Sequence, residues 1–411
     1  AMEDFWNLHW RSQKSGGVFV WAMVDESVMR TDLNNILDAN GLNANDGIMG
    51  PHREKEGSFN ALREIFCPVQ LKLPKQLPAD FNGQIAVDNR FHFLNTNQCT
   101  FYWALVDFSK PFDRFDGYVV KQKGTAASPN IAATQQGTLQ LQLPADYKNY
   151  DALVIVAKDN FGKELYKWTS EIKTKQSQLE GFVIMANNET SIKETDTVYT
   201  ITGGEVTVVL DKKTGMLVTT KNTANDYVLS FNNGPVLVKG NAAVVSAKAY
   251  KEGNDAVVEF TYSGDMKYVK WKMNGSGWVT IEYEYSANGD YPFTGISFKY
   301  PENYVLGARW LGKGPYRQWK NRMAGTPVNV WQNLYNNTHT GYAPLIYPEF
   351  KGYYGEISWM ELSTVQGKLY LASPDTGLFI RLFDGYALSD AAKPHPELPV
   401  GDISFVDIEK Y

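Results

Sequence analysis

The sequence predicts a mostly β chain in which one strand–loop–helix unit of a (β/α)8 barrel is followed by β-sandwich architecture. Three observations predict it. The apolar run Val18 to Val24 rises out of Gly16-Gly17 and stops at Asp25-Glu26-Ser27, the pattern of a strand buried on both faces with polar groups at its C-terminal end. From about Val69, short alternating runs are broken by turn residues with no helical period. Residues 180 to 411 then read again as nearly all strand, too much for one immunoglobulin-like domain.

The barrel unit occupies residues 1–68. In AMEDFWNLHWRSQKS, Phe5, Leu8 and Trp6 recur at helical spacing and predict a helix before the strand. Strand alternation sets Phe19, Trp21, Met23 and Asp25 on one side, so Trp21 and Asp25 should share a face. The C-terminal end of such a strand is where barrel folds keep their chemistry. A long loop follows, with turn residues at Asn34-Asn35, Asn40-Gly41, Asp46-Gly47 and Gly50-Pro51, then the charged run His52 to Glu56. Ser58 is the expected N-cap of a helix carrying Phe59, Leu62 and Ile65-Phe66, which Cys67-Pro68 ends.

An immunoglobulin-like β-sandwich is expected over 69–175. Its runs are GQIAVDN, FHFL, CTFYWALVDF, TLQLQLP and ALVIVAKD, interrupted by KPFDRFDG, KGTAASPN and PADYKNYD. KTKQSQLEG is polar and aperiodic and serves as the linker. In 176–411 the runs TVYTITGG, DAVVEFTYSG and VKWKMNGSGWVTIEYEYSANGD alternate, and EVTVVLD with MLVTTK predicts a hairpin around Asp211 to Gly215.

The chain has 411 residues, enough for more than one full core, with a formal charge of −5. That balance leaves no basic stripe to neutralise phosphates, which argues against nucleic acid or an anionic membrane as partner. No apolar run reaches the roughly 18 to 20 residues of a membrane span. Cys67 and Cys99 are too few for a disulfide framework or a metal knuckle and read as buried small apolar residues.

GGVFVWAMVDES resembles the final barrel strand of the β-galactosidases of glycoside hydrolase family 2, and DGIMGPHREKEGSFNALREIFCPV resembles the loop and helix that follow it. WLGKGPYRQWKNR at 310–322 and GYAPLIYPEFKGYYG at 341–355 resemble that family's C-terminal β-galactosidase small-chain domain. The resemblance implies a β-supersandwich, galactose-mutarotase-like, for 176–411, and a retaining exo-β-galactosidase as the whole enzyme. It implies that the two catalytic glutamates, and the carboxylate and histidine of a magnesium site, precede residue 1. No catalytic residue is therefore assigned within this chain, which alone should be inactive. Family members usually continue past a GDISF-like segment with further strands, and loss of such a strand would leave an unpaired sheet edge; either the chain is shortened here or Val406 to Tyr411 is a divergent finish.

The residues themselves agree on the missing pair. A retaining glycosidase needs two carboxyls roughly 5 to 5.5 Å apart across the scissile bond. Asp25 and Glu26 are adjacent on a strand and point to opposite faces. Glu54 and Glu56 lie in a charged loop and read as a solvated or salt-bridged surface.

The expected contribution is the wall of a sugar pocket. By the resemblance, Trp21 borders the galactosyl subsite, where a flat ring packs on sugar C–H bonds; the plainer reading is a barrel-core tryptophan. Asp46 stands where the family has a sodium-binding asparagine, and it can accept from a hydroxyl or ligate a cation. Asn43 stands where the family has phenylalanine, so the specificity loop has diverged. His52 can donate to a substrate hydroxyl or serve a structural hydrogen bond. Asp25 completes the substrate-binding set.

Trp310, Tyr316, Trp319, Trp331, Tyr335, Tyr342, Tyr347, Tyr353 and Tyr354 offer sugar platforms, but in a large sandwich they read first as core. Arg317, Lys320, Asn321 and Arg322 read as loop anchors pairing with acids such as Glu349. The implied partners are the upstream part of the barrel, a β-galactoside or other carbohydrate, and further copies in a homo-oligomer. Magnesium and sodium are implied for the whole enzyme only. The competing readings are a stand-alone carbohydrate-binding or scaffolding module, and a family 2 hydrolase acting on another β-glycoside.

Overall fold

The computed structural model describes every residue except 1, 39, 41–43, 185, 187, 225, 287, 319, 339–345, 385–398 and 409–411. The turn at Asn40-Gly41, Asn43, Trp319 and Tyr342 thus fall wholly or partly outside the described residues. The chain divides into two compact units. The first comprises residues 1–178, Trp310–Asn333 and the described part of 340–349; the second comprises the described residues of 179–309, 334–339 and 350–411.

In the first unit, helix α1 (Met2–Arg11) buries none of its residues. The expected packing face, Phe5 and Leu8, is exposed, and the helix instead sets Trp6 edge-on to Phe66 at 4.7 Å and Trp10 against His92 at 5.2 Å. The apolar run at 18–24 is not a strand. Val24 makes a lone parallel bridge to Met49. Residues 44–49 supply its backbone partners, through Ala22 N to Asp46 O (3.1 Å), Met49 N to Met23 O (3.1 Å) and Asp25 N to Met49 O (2.9 Å). A barrel strand needs a ladder along both edges, and here one flank has a partner.

Strands β1 (Val28–Arg30) and β2 (Ile36–Asp38) pair as a hairpin whose turn residues Asn34 and Asn35 both have positive φ, as the Asn-Asn signal predicts. Helix α2 (Gly57–Ile65) begins two residues earlier than a Ser58 cap implies. Glu56 is the N-cap, its carbonyl accepting from Phe59 N and from the Asn60 backbone and side chain.

Strands β3 (Val69–Leu71), β4 (Gln84–Asn89), β5 (Thr100–Phe108), β6 (Tyr118–Ala126), β7 (Gln136–Gln140), β8 (Ala152–Lys158) and β9 (Glu164–Glu171) form two antiparallel sheets, β3-β4-β7 and β6-β5-β8-β9. Alternation builds the core between them. Phe101, Trp103 and Leu105 of β5 sit opposite Ala157, Ile155 and Leu153 of β8, in rows on one face. Each large side chain removed from water here stabilises by roughly 1.5–3 kcal/mol.

FHFL is a turn. The Asn89 side chain accepts from Phe91 N at 3.0 Å and donates to Leu94 O at 2.9 Å, which bends the chain and leaves Phe93 98% exposed. KGTAASPN, expected as a break, is strand through Ala126. The expected linker is likewise not a solvated tether. Its residues Lys175–Gln178 form helix α3 with Lys175 and Gln178 buried, and Gln178 Nε2 donates to Glu171 Oε1 at 2.9 Å.

The second unit opens with β10 (Ser191–Glu194), β11 (Val198–Gly203), β12 (Val206–Asp211), β13 (Leu217–Asn222) and β14 (Tyr227–Leu229), a meander that contains the expected β12–β13 hairpin. Strands β15 (Asn232–Leu237), β16 (Ala242–Glu252), β17 (Asp255–Gly264), β18 (Met266–Met273), β19 (Val279–Tyr285) and β20 (Phe293–Lys299) follow, β16 to β19 as a second meander.

Strand β21 (Val305–Lys313) runs from the second unit into the first, where β22 (Val328–Leu334) lies beside it. Strands β23 (Gly352–Gly355), β24 (Trp359–Thr364), β25 (Gly367–Ala372), β26 (Phe379–Leu382) and β27 (Ile403–Ile408) complete the second unit, with the sheet order β15-β20-β27-β26-β23. The last described strand, β27, is central, hydrogen-bonded to β20 on one side and β26 on the other. The core includes Phe231 stacked on Phe298 at 4.5 Å, with Trp271 edge-on to Phe298.

Candidate functional site

The chemistry-bearing residues gather in the first unit, where the 22–26 segment, the loop 44–56 and residues 316–317 and 346–349 meet. Asp25 is buried, and its Oδ1 accepts from Gly47 N at 2.9 Å. Gly47 has no room for a side chain, since a Cβ there would lie 2.4 Å from Asp25 N. The contact fixes the loop next to Asp46, whose carbonyl accepts from Ala22 N and whose side chain is exposed.

Trp21 is 78% exposed, with Phe19 at 102% and Met23 at 63%. The shared face expected for Trp21 and Asp25 is not formed: without a strand at 18–24 there is no alternation to align them, and Asp25 turns inward while Trp21 faces out. The backbone pairing nonetheless brings Trp21, Asp25 and Asp46 into one short stretch of structure. His52 sits exposed in the turn that Arg53 N closes onto Gly50 O.

Glu54 and Glu56, expected on a solvated surface, point inward. Glu54 Oε2 and Glu56 Oε1 are buried and have no hydrogen-bond partner among the described residues. Glu54 lies over Gly50, where a Cβ would meet its carboxylate at 2.2 Å. Glu56 is pushed up to about 7, first by burial and then by the charge of Asp25; a hydrogen bond with Tyr347 opposes the rise, and Glu349 and Glu54 add to it. Tyr347 is itself raised by burial and by Glu56.

Glu349 is buried and accepts from Arg317 Nη2 at 3.4 Å, as the anchoring reading of that cationic cluster predicts. Tyr316 closes the group, donating to Lys55 O at 2.8 Å and accepting from Asn60 Nδ2 at 3.1 Å. The signal missed in the sequence was the pair of glycines, Gly50 and Gly57, which bracket a turn that points Glu54 and Glu56 inward while Arg53 and Lys55 stay exposed. Interleaved Arg and Lys disguise it as a solvated run.

Among the described residues, no group of three or more His, Cys, Asp or Glu side chains is arranged to hold a metal ion. Asp46 offers a single exposed carboxylate, so these residues do not by themselves build a sodium cage. The C-terminal aromatics pack. Trp310, Tyr353 and Tyr354 are buried, and Trp331 lies under Gly314, where a Cβ would fall 2.4 Å from its ring. No described helix is long and apolar enough to cross a membrane.

Residues 222–399 match the β-galactosidase small chain. The small-chain region takes in most of the second unit, from the end of β13, together with the Arg317 and Glu349 segments of the first. No curated protein matches the chain.

Among solved structures, the exo-β-D-glucosaminidase CsxA aligns at 9% identity over 69% of this chain and 33% of its own, with a TM-score of 0.21. The exo-chitosanase CsxA of Amycolatopsis orientalis, as its E541A variant with PNP-β-D-glucosamine, aligns at 10% identity over 58% of this chain and 29% of its own, with a TM-score of 0.20. The chain thus spans about a third of the length of those structures. The fold assignment rests on the sheets described above.

Proposed function

We propose that this chain is the C-terminal part of a family 2 glycoside hydrolase of the retaining exo-β-galactosidase type, which removes terminal β-galactosides when whole. The match of residues 222–399 to the β-galactosidase small chain carries the reading. The half-built unit at 16–56 supports it. Trp21 faces outward next to Ala22, whose N–H bonds the Asp46 carbonyl, on backbone that is paired along one flank among the described residues, the condition of a pocket wall whose other walls lie elsewhere. In this reading Trp21 packs on the sugar, Asp46 and His52 bond its hydroxyls, and Asp25 holds the Asp46 loop in place through Gly47. The acid and the nucleophile come from the upstream part of the barrel, as would the groups for magnesium.

The test is hydrolysis of a chromogenic β-galactoside by the purified chain, beside the same chain mixed with a separately expressed upstream barrel fragment. Turnover only in the mixture is expected, because positioning residues without nucleophile and acid leave the main barrier intact. Turnover by the chain alone overturns the division of labour. No turnover in either sample, with galactoside binding by the isolated chain, moves a carbohydrate-binding module to first place.

A further inference from the structure

We propose that Arg381 forms a halide-binding site at the centre of a second-unit sheet, where a bound chloride balances the guanidinium charge and holds residues 399–402 against the strands. The proposal concerns the second unit alone and stands whichever substrate the whole enzyme takes.

The site is a polar row in an otherwise apolar sheet. In the order β15-β20-β27-β26-β23, Ser297 of β20 lies opposite Ser404 of β27, Ser404 opposite Arg381 of β26, and Arg381 opposite Tyr353 of β23. Residues directly opposite on paired strands share a face, so these four form one line across four strands. All four are buried, with Arg381 and Ser404 at 0% exposure. Their strand neighbours Phe298, Ile403, Ile380 and Leu382 are apolar and belong to the other face.

Arg381 bonds through one nitrogen. Nη2 donates to Gly401 O at 2.9 Å, to Ser404 Oγ at 2.9 Å and to Pro399 O. Nε and Nη1 are buried and have no hydrogen-bond partner among the described residues. Every acceptor that Arg381 does reach is neutral. The nearby carboxylates are occupied or turned away: Asp402 Oδ2 accepts from Tyr300 N at 2.9 Å, its Oδ1 lies 3.9 Å from Lys299 Nζ, and Asp384 is exposed. Lys351, just before β23 and equally buried, shows the usual arrangement, its Nζ lying 2.6 Å from Glu302 Oε1.

Burial lowers the pKa of Arg381, but an arginine starts so high that it stays protonated at neutral pH. A buried cation without a counter-charge carries a large desolvation cost. Water can satisfy the leftover N–H donors but brings no charge, whereas an anion does both. The surroundings set its size. Gly401 lies so close to Ser297 that a Cβ there would collide with the Ser297 hydroxyl, and the Pro399 and Gly401 carbonyls close onto the guanidinium. A carboxylate or phosphate ligand would have to displace that backbone, while a single-atom ion needs only the edge of Nε or Nη1. Of the small halides, chloride gives up its hydration more readily than fluoride, which favours it in a dry site.

The experiment is thermal unfolding of the full chain over roughly 1 to 300 mM sodium chloride, with ionic strength held constant by sodium methanesulfonate, whose anion is too large for the site. An ion that binds the folded state alone should raise the melting temperature by roughly 3 to 5 °C per tenfold rise in chloride beyond half-saturation. Sodium bromide should act in the same way. Arg381→Met, which keeps the bulk and removes the charge, should no longer respond to either halide. A wild-type melting temperature indifferent to chloride, or an equal response in Arg381→Met, overturns the proposal and leaves water on the free donors. Should Arg381→Met fail to fold, wild-type crystals soaked in bromide decide: an anomalous peak beside Arg381 Nε or Nη1 supports the site, and density there without anomalous signal overturns it.

Discussion

Cys67 and Cys99 show burial acting on a side chain with little help from neighbours. Both are free and buried in the first unit, and desolvation pushes their thiols up to about 12 and about 11. Cys67 also spends its S–H on Val69 O at 3.0 Å. At pH 8 an ordinary thiol is partly thiolate, while one at about 12 is ionised in about one molecule in ten thousand. Alkylation of the folded chain at that pH should be about a thousandfold slower than in denaturant, counted by intact mass. Rapid labelling of either residue in the folded chain would show that the segment around it opens to solvent. Glu56 differs because the like charges of Asp25, Glu349 and Glu54 add to burial in raising its carboxyl to about 7. The sequence reveals the first case, since two lone cysteines in apolar runs read as core. It hides the second, because the neighbours of Glu56 at Asp25, Tyr347 and Glu349 are distant in sequence.

At the scale of elements, the sandwich was legible wherever alternation is local. The β5 and β8 runs display their inward rows without reference to anything else, and Asn34-Asn35 marks a turn, though the short hairpin it joins was read only as part of a long loop. The failures have one physical origin. A strand such as 18–24 depends on partners that its own residues do not encode, and the FHFL turn depends on one asparagine side chain reaching forward. Pairing across β5 and β6 gives a sharper case. Gly124 lies opposite Trp103, and a Cβ there would fall 2.5 Å from the indole. Gly124→Val should displace Trp103 and cost about 2 kcal/mol, measured by urea denaturation. The exposed neighbour substitution Lys123→Ala should stay within about 0.5 kcal/mol. Equal stability of Gly124→Val and wild type would show that the ring can move aside at no cost.

At the scale of the whole molecule, the chain carries two well-filled β units and one stretch whose apolar side chains face solvent. Phe19, Trp21 and Met23 face solvent on a segment with one paired flank, beside the loop that holds Asp46. Exposed apolar side chains in sequence, next to a structured loop, mark a surface built for contact. In the proposed enzyme that contact is the upstream part of the barrel. Replacing both Phe19 and Met23 by serine separates folding from assembly. The isolated double variant should keep its melting temperature within a few degrees, because Phe19 is fully exposed and Met23 mostly so, and should bind less of an apolar dye. Mixed with the upstream fragment, the same variant should fail to restore β-galactoside turnover, because the serines cannot replace the apolar surface the barrel has to bury. A fall of several degrees in the isolated chain would mean that these residues already pack within it. Full turnover in the mixture would mean that the barrel closes without them, and would remove this face from the proposed assembly.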